Sequence, residues 1–159
     1  MTAHPNPAIE RAMTSVAAAV PQAEADPARP RYHFRPPAQW MNDPNGVIFH
    51  NGWYHLFYQH NPYNDGWGHI HWGHARSRDL VHWEHLPIAL WPSLELNEAH
   101  CFSGCAALDG QGRPLLIYTS VPNQEDGRPP FAQWAAVGDP DWIHWQKHPA
   151  NPILALETH

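Results

Sequence analysis

The residues best placed for chemistry stand in one heptapeptide, Trp40-Met41-Asn42-Asp43-Pro44-Asn45-Gly46. Proline disfavours helical backbone for the residue before it, so Asp43 is expected in an extended conformation, and Pro44-Asn45-Gly46 fits the last three positions of a type I turn. A carboxylate fixed in this way beside an aromatic ring suits chemistry, yet an Asp opening a turn is also ordinary turn chemistry. Both readings stand on these seven residues alone. Three histidines, His69, His71 and His74, raise the question of a metal, because imidazole is a common ligand. In a strand, however, His69 and His71 share one face and His74 takes the other. A structural, hydrogen-bonded role is expected for them, and no metal. Cys101 and Cys105 form a Cys-x3-Cys pair without the second pair that a zinc site needs, so free thiols are expected.

The elements that must hold these groups are strands and turns. Of 159 residues, 9 are Trp, 14 His and 18 Pro, only 15% are charged, and the 43% hydrophobic fraction can supply the core of a single domain. A formal net charge of -6, with 9 Lys and Arg and no basic run, argues against nucleic acid or an anionic membrane as partner and favours a neutral or cationic ligand. No apolar run approaches the roughly 18 residues that span a bilayer. Glu10 and Arg11 precede the short apolar run Val16 to Val20, which is not the order of a signal peptide, and a cytoplasmic location is the expectation.

Residues 1–30 read as an N-terminal tail, with a short helix over Pro7 to Val20 and with Pro21, Pro27 and Pro30 interrupting any regular element. Residues 31–159 change character to short β-branched and aromatic runs punctuated by Gly, Pro, Asn and Asp. Gly46 to His50 and Trp53 to Gln59 read as a hairpin turned by Asn51-Gly52. Strands are expected at His71 to Ser77, Val81 to Leu86, Gly104 to Leu108, Leu115 to Ser120, Ala132 to Val137 and Ile143 to Gln146. The second set repeats the first. Asp79-Leu80-Val81-His82-Trp83 returns 62 residues later, from 79 to 141, as Asp141-Trp142-Ile143-His144-Trp145. The repetition assigns His82 and His144 to packing and Asp79 and Asp141 to turns. Four strands per unit with an aromatic signature describe propeller blades, so the fold class is all-β, a partial propeller of about two blades.

The motifs Trp40 to Gly46, Phe57-Tyr58-Gln59-His60-Asn61-Pro62, Trp67-Gly68-His69-Ile70-His71-Trp72-Gly73-His74-Ala75, Ser77 to Trp83 and Phe102-Ser103-Gly104 run in an order and spacing that resembles glycoside hydrolase family 32, the β-fructofuranosidases, from about Tyr32 to Leu154. The resemblance implies a five-bladed propeller with an axial active site, usually followed by a β-sandwich. It implies a retaining glycosidase that cleaves sucrose or fructans with no cofactor, using two carboxylates about 5 to 5.5 Å apart. By motif match Asp43 is the nucleophile, and Asn42, Gln59, Trp67, Phe102 and Ser103 line the fructosyl pocket. Amides and a hydroxyl suit sugar hydroxyls, and an indole face suits the apolar side of the ring. Trp40 and Trp72 are expected to pack between strands.

Two departures qualify what the resemblance implies. The family's Arg-Asp-Pro motif, which steadies the transition state, and its Glu-Cys motif, which supplies the acid–base, have no match. Asp139-Pro140 follows Gly138, and neither cysteine follows a Glu. Cys105 stands where the family commonly has Ser. The expectation is therefore the N-terminal part of such an enzyme, inactive alone, with a noncatalytic sugar-binding or regulatory remnant as the alternative.

Overall fold

A computed structural model of the chain describes residues 6–123 and 131–155. Among the described residues eight strands follow one α-helix, α1 (Pro7–Ala25): β1 (Trp40–His50), β2 (Trp53–Asn61), β3 (His71–Ser77), β4 (Trp83–Leu90), β5 (Glu98–Leu108), β6 (Pro114–Pro122), β7 (Ala132–Gly138) and β8 (Trp145–Lys147). They form two four-stranded antiparallel sheets, each in simple sequence order, β1 to β4 and β5 to β8. Each is a meander of the sort that makes one propeller blade. The two sheets meet through their first strands, β1 and β5.

Apolar side chains decide that meeting. Phe57 on β2 and Trp72 on β3 are fully buried with Cys101, Leu116 and Tyr118 of the second sheet, and Trp134, Trp142 and Trp145 close the cluster. Gly46 of β1 packs against Ala106 of β5. Its backbone is left-handed (φ +53°), and a Cβ there would stand 3.0 Å from the Phe57 ring and 3.1 Å from Ala106, so only glycine serves both needs. The hairpin turn is as expected, with both Asn51 and Gly52 at positive φ (49° and 80°), the requirement of a type I′ turn.

Several expectations need correction. Residues 40–50 are one continuous strand, not a turn at Pro44-Asn45-Gly46 followed by a strand; the irregularity is absorbed as register shifts against β2 between Met41 and Pro44 and between Asn45 and Ile48. Pro21 does not end α1. The helix is capped by Asn6, whose side chain accepts from the Ala8 N–H at 2.9 Å, and it runs through the exposed Pro21 to Ala25, stopping before Asp26-Pro27. Nor are residues 6–30 a bare tail. Ala12 and Val16 are buried, and the helix rests on β4.

Strand β4 begins at Trp83 rather than Val81, because Asp79 Oδ1 takes the N–H groups of Val81 and His82 (2.9 and 2.8 Å) that a ladder would use. In the second sheet the same task falls to Asp139, not Asp141. Its carboxylate accepts from the Ile143 and His144 N–H groups, so β8 begins at Trp145. The repeat is real at the backbone, since Leu80 and Trp142 both adopt positive φ (63° and 62°). The side chains diverge from it: His82 and His144 face solvent instead of packing.

Candidate active site

Asn42 and Asp43 fall inside the first register shift of β1, and Ser103 falls inside a second shift, between Phe102 and Gly104 on β5. A bulge frees a residue from the ladder and re-aims its side chain. The two bulges stand on the two strands that join the sheets. Ser103 Oγ donates to Asp43 Oδ2 at 2.9 Å, and Gln59 Nε2, from β2, donates to Ser103 Oγ at 2.8 Å. Three of the expected site residues, from three strands and both sheets, thus form one relay. Gln59 is 5% exposed and Asp43 is open to solvent, so the relay runs from the core to the surface.

The relay has a chemical direction. Gln59 anchors the hydroxyl oxygen, which leaves the Ser103 proton pointing at the carboxylate. A charge-assisted bond of this kind holds the carboxylate in a fixed orientation. Asp43 Oδ1 has no partner among the described residues and remains free to meet an electrophile. Asn42 is exposed beside it, and Trp67 and Phe102 supply aromatic surface, their ring centroids 6.3 Å apart and edge to face. Trp67 is 58% exposed, a large indole that the protein itself does not cover.

The strand carrying Ser103 is fixed from behind. Trp72, fully buried, donates its indole N–H to the carbonyls of both Cys101 and Phe102 at 3.2 Å, and the Cys101 N–H donates to the Ile70 carbonyl at 2.9 Å. Gly104 is required next to the bulge, because a Cβ there would lie 2.0 Å from the Ile117 carbonyl oxygen. Trp72 therefore does more than pack: it sets the height of β5 against β3. Trp40 is half-buried, and its carbonyl meets His60 Nδ1 at 2.8 Å.

Glu98 stands three residues before Cys101 and is no Glu-Cys match, and sequence reasoning gave Lys147 no role. Both are structural pillars of this region. Glu98, opening β5, is wholly buried and ion-paired with Lys147 of β8; it also accepts from the Ser93 N–H at 3.0 Å and the Tyr118 hydroxyl at 2.9 Å. The ammonium further donates to the Trp91 carbonyl and Ser93 Oγ. Burial pushes the Tyr118 hydroxyl well up, and the Cys101 thiol likewise, with the Glu98 charge adding to the latter. Cys101 and Cys105 are free, the first buried and the second exposed. No spacing rule joins residues 98 and 147, so nothing short of the fold could have paired them.

The histidines divide as follows. His69 lies outside β3, with φ 44°, so strand alternation does not apply to it. His71 Nδ1 meets the His69 carbonyl, and His74 Nε2 meets His55 Nδ1 at 3.0 Å while its ring stacks on Phe57 at 4.1 Å. Burial lowers His55 and His60 to about 4 and His71 to about 3, and it pushes His74 down as well. All four are neutral at ordinary pH.

Residues 33–159 match the family model described as the Glycosyl hydrolases family 32 N-terminal domain. Among curated proteins, the chain is 46% identical over 127 residues to Beta-fructofuranosidase 1 of Zea mays, covering 79% of this chain and 19% of that protein. It is 44% identical over 136 residues to the Levanase of Bacillus subtilis (strain 168), again covering 79% and 19%. The chain thus spans about a fifth of the length of these relatives. Among solved structures, a mutant of the Bombyx mori GH32 beta-fructofuranosidase in complex with sucrose superposes with a TM-score of 0.79 at 38% identity, covering 96% of this chain and 32% of that one. A fructan 1-exohydrolase IIa variant from Cichorium intybus in complex with 1-kestose gives 0.68 at 43% identity, covering 78% and 23%.

Proposed function

Since the chain belongs to glycosyl hydrolase family 32 through its N-terminal domain, we propose that it carries the nucleophile half of a β-fructofuranosidase site, acting on sucrose or a fructan. The observation that carries this reading is the Gln59–Ser103–Asp43 relay, which holds one carboxylate oxygen and leaves the other free. In a retaining mechanism Asp43 Oδ1 attacks the anomeric carbon of a fructosyl unit, the bond to the leaving oxygen breaks, and a separate acid protonates that oxygen. Asn42 and Ser103 offer hydrogen-bonding groups to the sugar hydroxyls, and Trp67 and Phe102 cover its apolar face. The sugar complexes of the relatives support a neutral carbohydrate as ligand.

The acid–base Glu and the stabilising Asp have no counterpart by motif in these 159 residues. Taken alone, they should hold a fructosyl unit without turning it over, because general acid catalysis is worth about 10² to 10⁴ in rate. Calorimetric titration with fructose and sucrose, alongside an assay for released fructose, tests the proposal. Saturable binding that weakens in Asp43→Asn and Ser103→Ala, without turnover, is the expected result. Absence of binding, or binding indifferent to both substitutions, would overturn it.

A further inference from the structure

Trp67, Phe102 and Phe131 form one aromatic row across the seam between the two sheets. Trp67 stands in the β2–β3 connection and Phe131 immediately before β7, at the end of the β6–β7 connection; the two connections are equivalent in the two meanders. Phe102, on β5, lies between them, 6.3 Å from Trp67 and 6.4 Å from Phe131, with the two phenyl rings inclined by only 29°. His100 fills the angle between Trp67 and Phe102, at 5.0 and 5.7 Å. The row lies at the end of the sheets where Asp43 opens, because Trp40 pairs with Asn61 and β2 leads from there into the Trp67 connection.

Phe131 is 50% exposed, and its ring contact is with Phe102 rather than with the hydrophobic core. The Gln59–Ser103–Asp43 relay is made without it. A second phenyl face inclined by 29° to the first and half open to solvent serves little purpose in packing, whereas paired apolar faces suit the C–H faces of successive sugar rings. We propose that Phe131 is a specificity-determining residue that stacks on the sugar of the leaving group, one ring further from Asp43 than the fructosyl unit. The site then favours a fructoside whose leaving group is itself a sugar ring over free fructose. This inference rests on the reading of Asp43 as the centre of a fructosyl pocket.

Titrating the chain with fructose, sucrose and 1-kestose separates the two ideas. Phe131→Ala should weaken sucrose and 1-kestose by about tenfold and leave fructose unchanged, while Phe131→Tyr, which keeps the ring face, should stay within about twofold of the parent for all three. Because the side chain is half open, the urea midpoints of the three proteins should coincide. Equal weakening of fructose and sucrose by Phe131→Ala, or no change in any of the three, would overturn the stacking role while leaving the pocket intact. Failure of the unsubstituted chain to bind even fructose would overturn the pocket reading and this inference with it.

Discussion

Ser103 donates to Asp43 across 2.9 Å, from one sheet to the other, and each residue owes its position to a bulge in the first strand of its own sheet. The contact is between residues 60 apart in sequence, so it exists only when both sheets are formed and docked. Binding and folding are thereby coupled at this seam.

Removing the Ser103 hydroxyl tests the relay directly. Ser103 is itself exposed, but Ser103→Ala leaves the buried Gln59 amide without its acceptor, so the free energy of unfolding should fall by about 1–3 kcal/mol. Fructose affinity should fall about tenfold, since the carboxylate loses a charge-assisted bond that fixes its free oxygen. Urea unfolding and calorimetry on one preparation give both numbers, and an unchanged fructose affinity would count against the relay.

Gly104 offers the opposite test, a backbone requirement without a functional group. A methyl at this position would meet the Ile117 carbonyl oxygen at 2.0 Å, and backbone cannot move aside as a flexible side chain can. Gly104→Ala should cost about 3 kcal/mol or more. Gly110→Ala is the control, because its Cβ would meet nothing within 4 Å and should shift stability by no more than about 0.5 kcal/mol.

What the sequence disclosed and what it withheld follow from the range of the interactions. Strand β3 was legible to the residue because its flanking Gly and Ser-Arg-Asp segments are local signals, and the Asn51-Gly52 turn was legible for the same reason. Asp43 as a turn residue was a misreading. Pro44 keeps extended backbone equally well inside a bulged strand, and only pairing with Tyr58 decides between the two. The motif match named Asp43, Gln59 and Ser103 together, and the structure shows them hydrogen-bonded in one row and supplies the order of donors. Phe131 and the Glu98–Lys147 pair stayed hidden, since their partners are set by how two sheets dock and by no spacing along the chain.

That ion pair should be costly to break from one side. Glu98 is wholly buried, and Lys147→Met would leave its carboxylate without its counter-charge, for a loss of about 3–5 kcal/mol. Adding Glu98→Gln to Lys147→Met should recover a large part of that loss, because the amide oxygen can still accept from the Ser93 N–H while the amide NH2 donates to the Tyr118 hydroxyl oxygen. Denaturant unfolding of the single and double variants decides the matter, and a double variant no better than the single would show that the ammonium matters through its contacts to Trp91 and Ser93 instead.

Acid should unfold the protein through its buried imidazoles. Burial is the leading cause that lowers His55 and His60 to about 4 and His71 to about 3, with His74 lowered in the same sense. The unfolded chain takes up a proton at each of these near the ordinary value of about 6.5, while the folded chain refuses it. Their contribution is therefore fully retained above about pH 6.5 and is lost progressively as the pH falls toward 4. Each histidine adds a slope of up to about 1.4 kcal/mol per pH unit in that window. The His55–His74 contact sharpens the effect, because two charged imidazoles with ring nitrogens 3.0 Å apart would repel. His74→Phe keeps the stacked ring on Phe57 and removes one titrating group, so its unfolding free energy should decline less steeply between pH 6.5 and 4 than that of the parent. Parallel pH curves for the two proteins would remove His74 from the account.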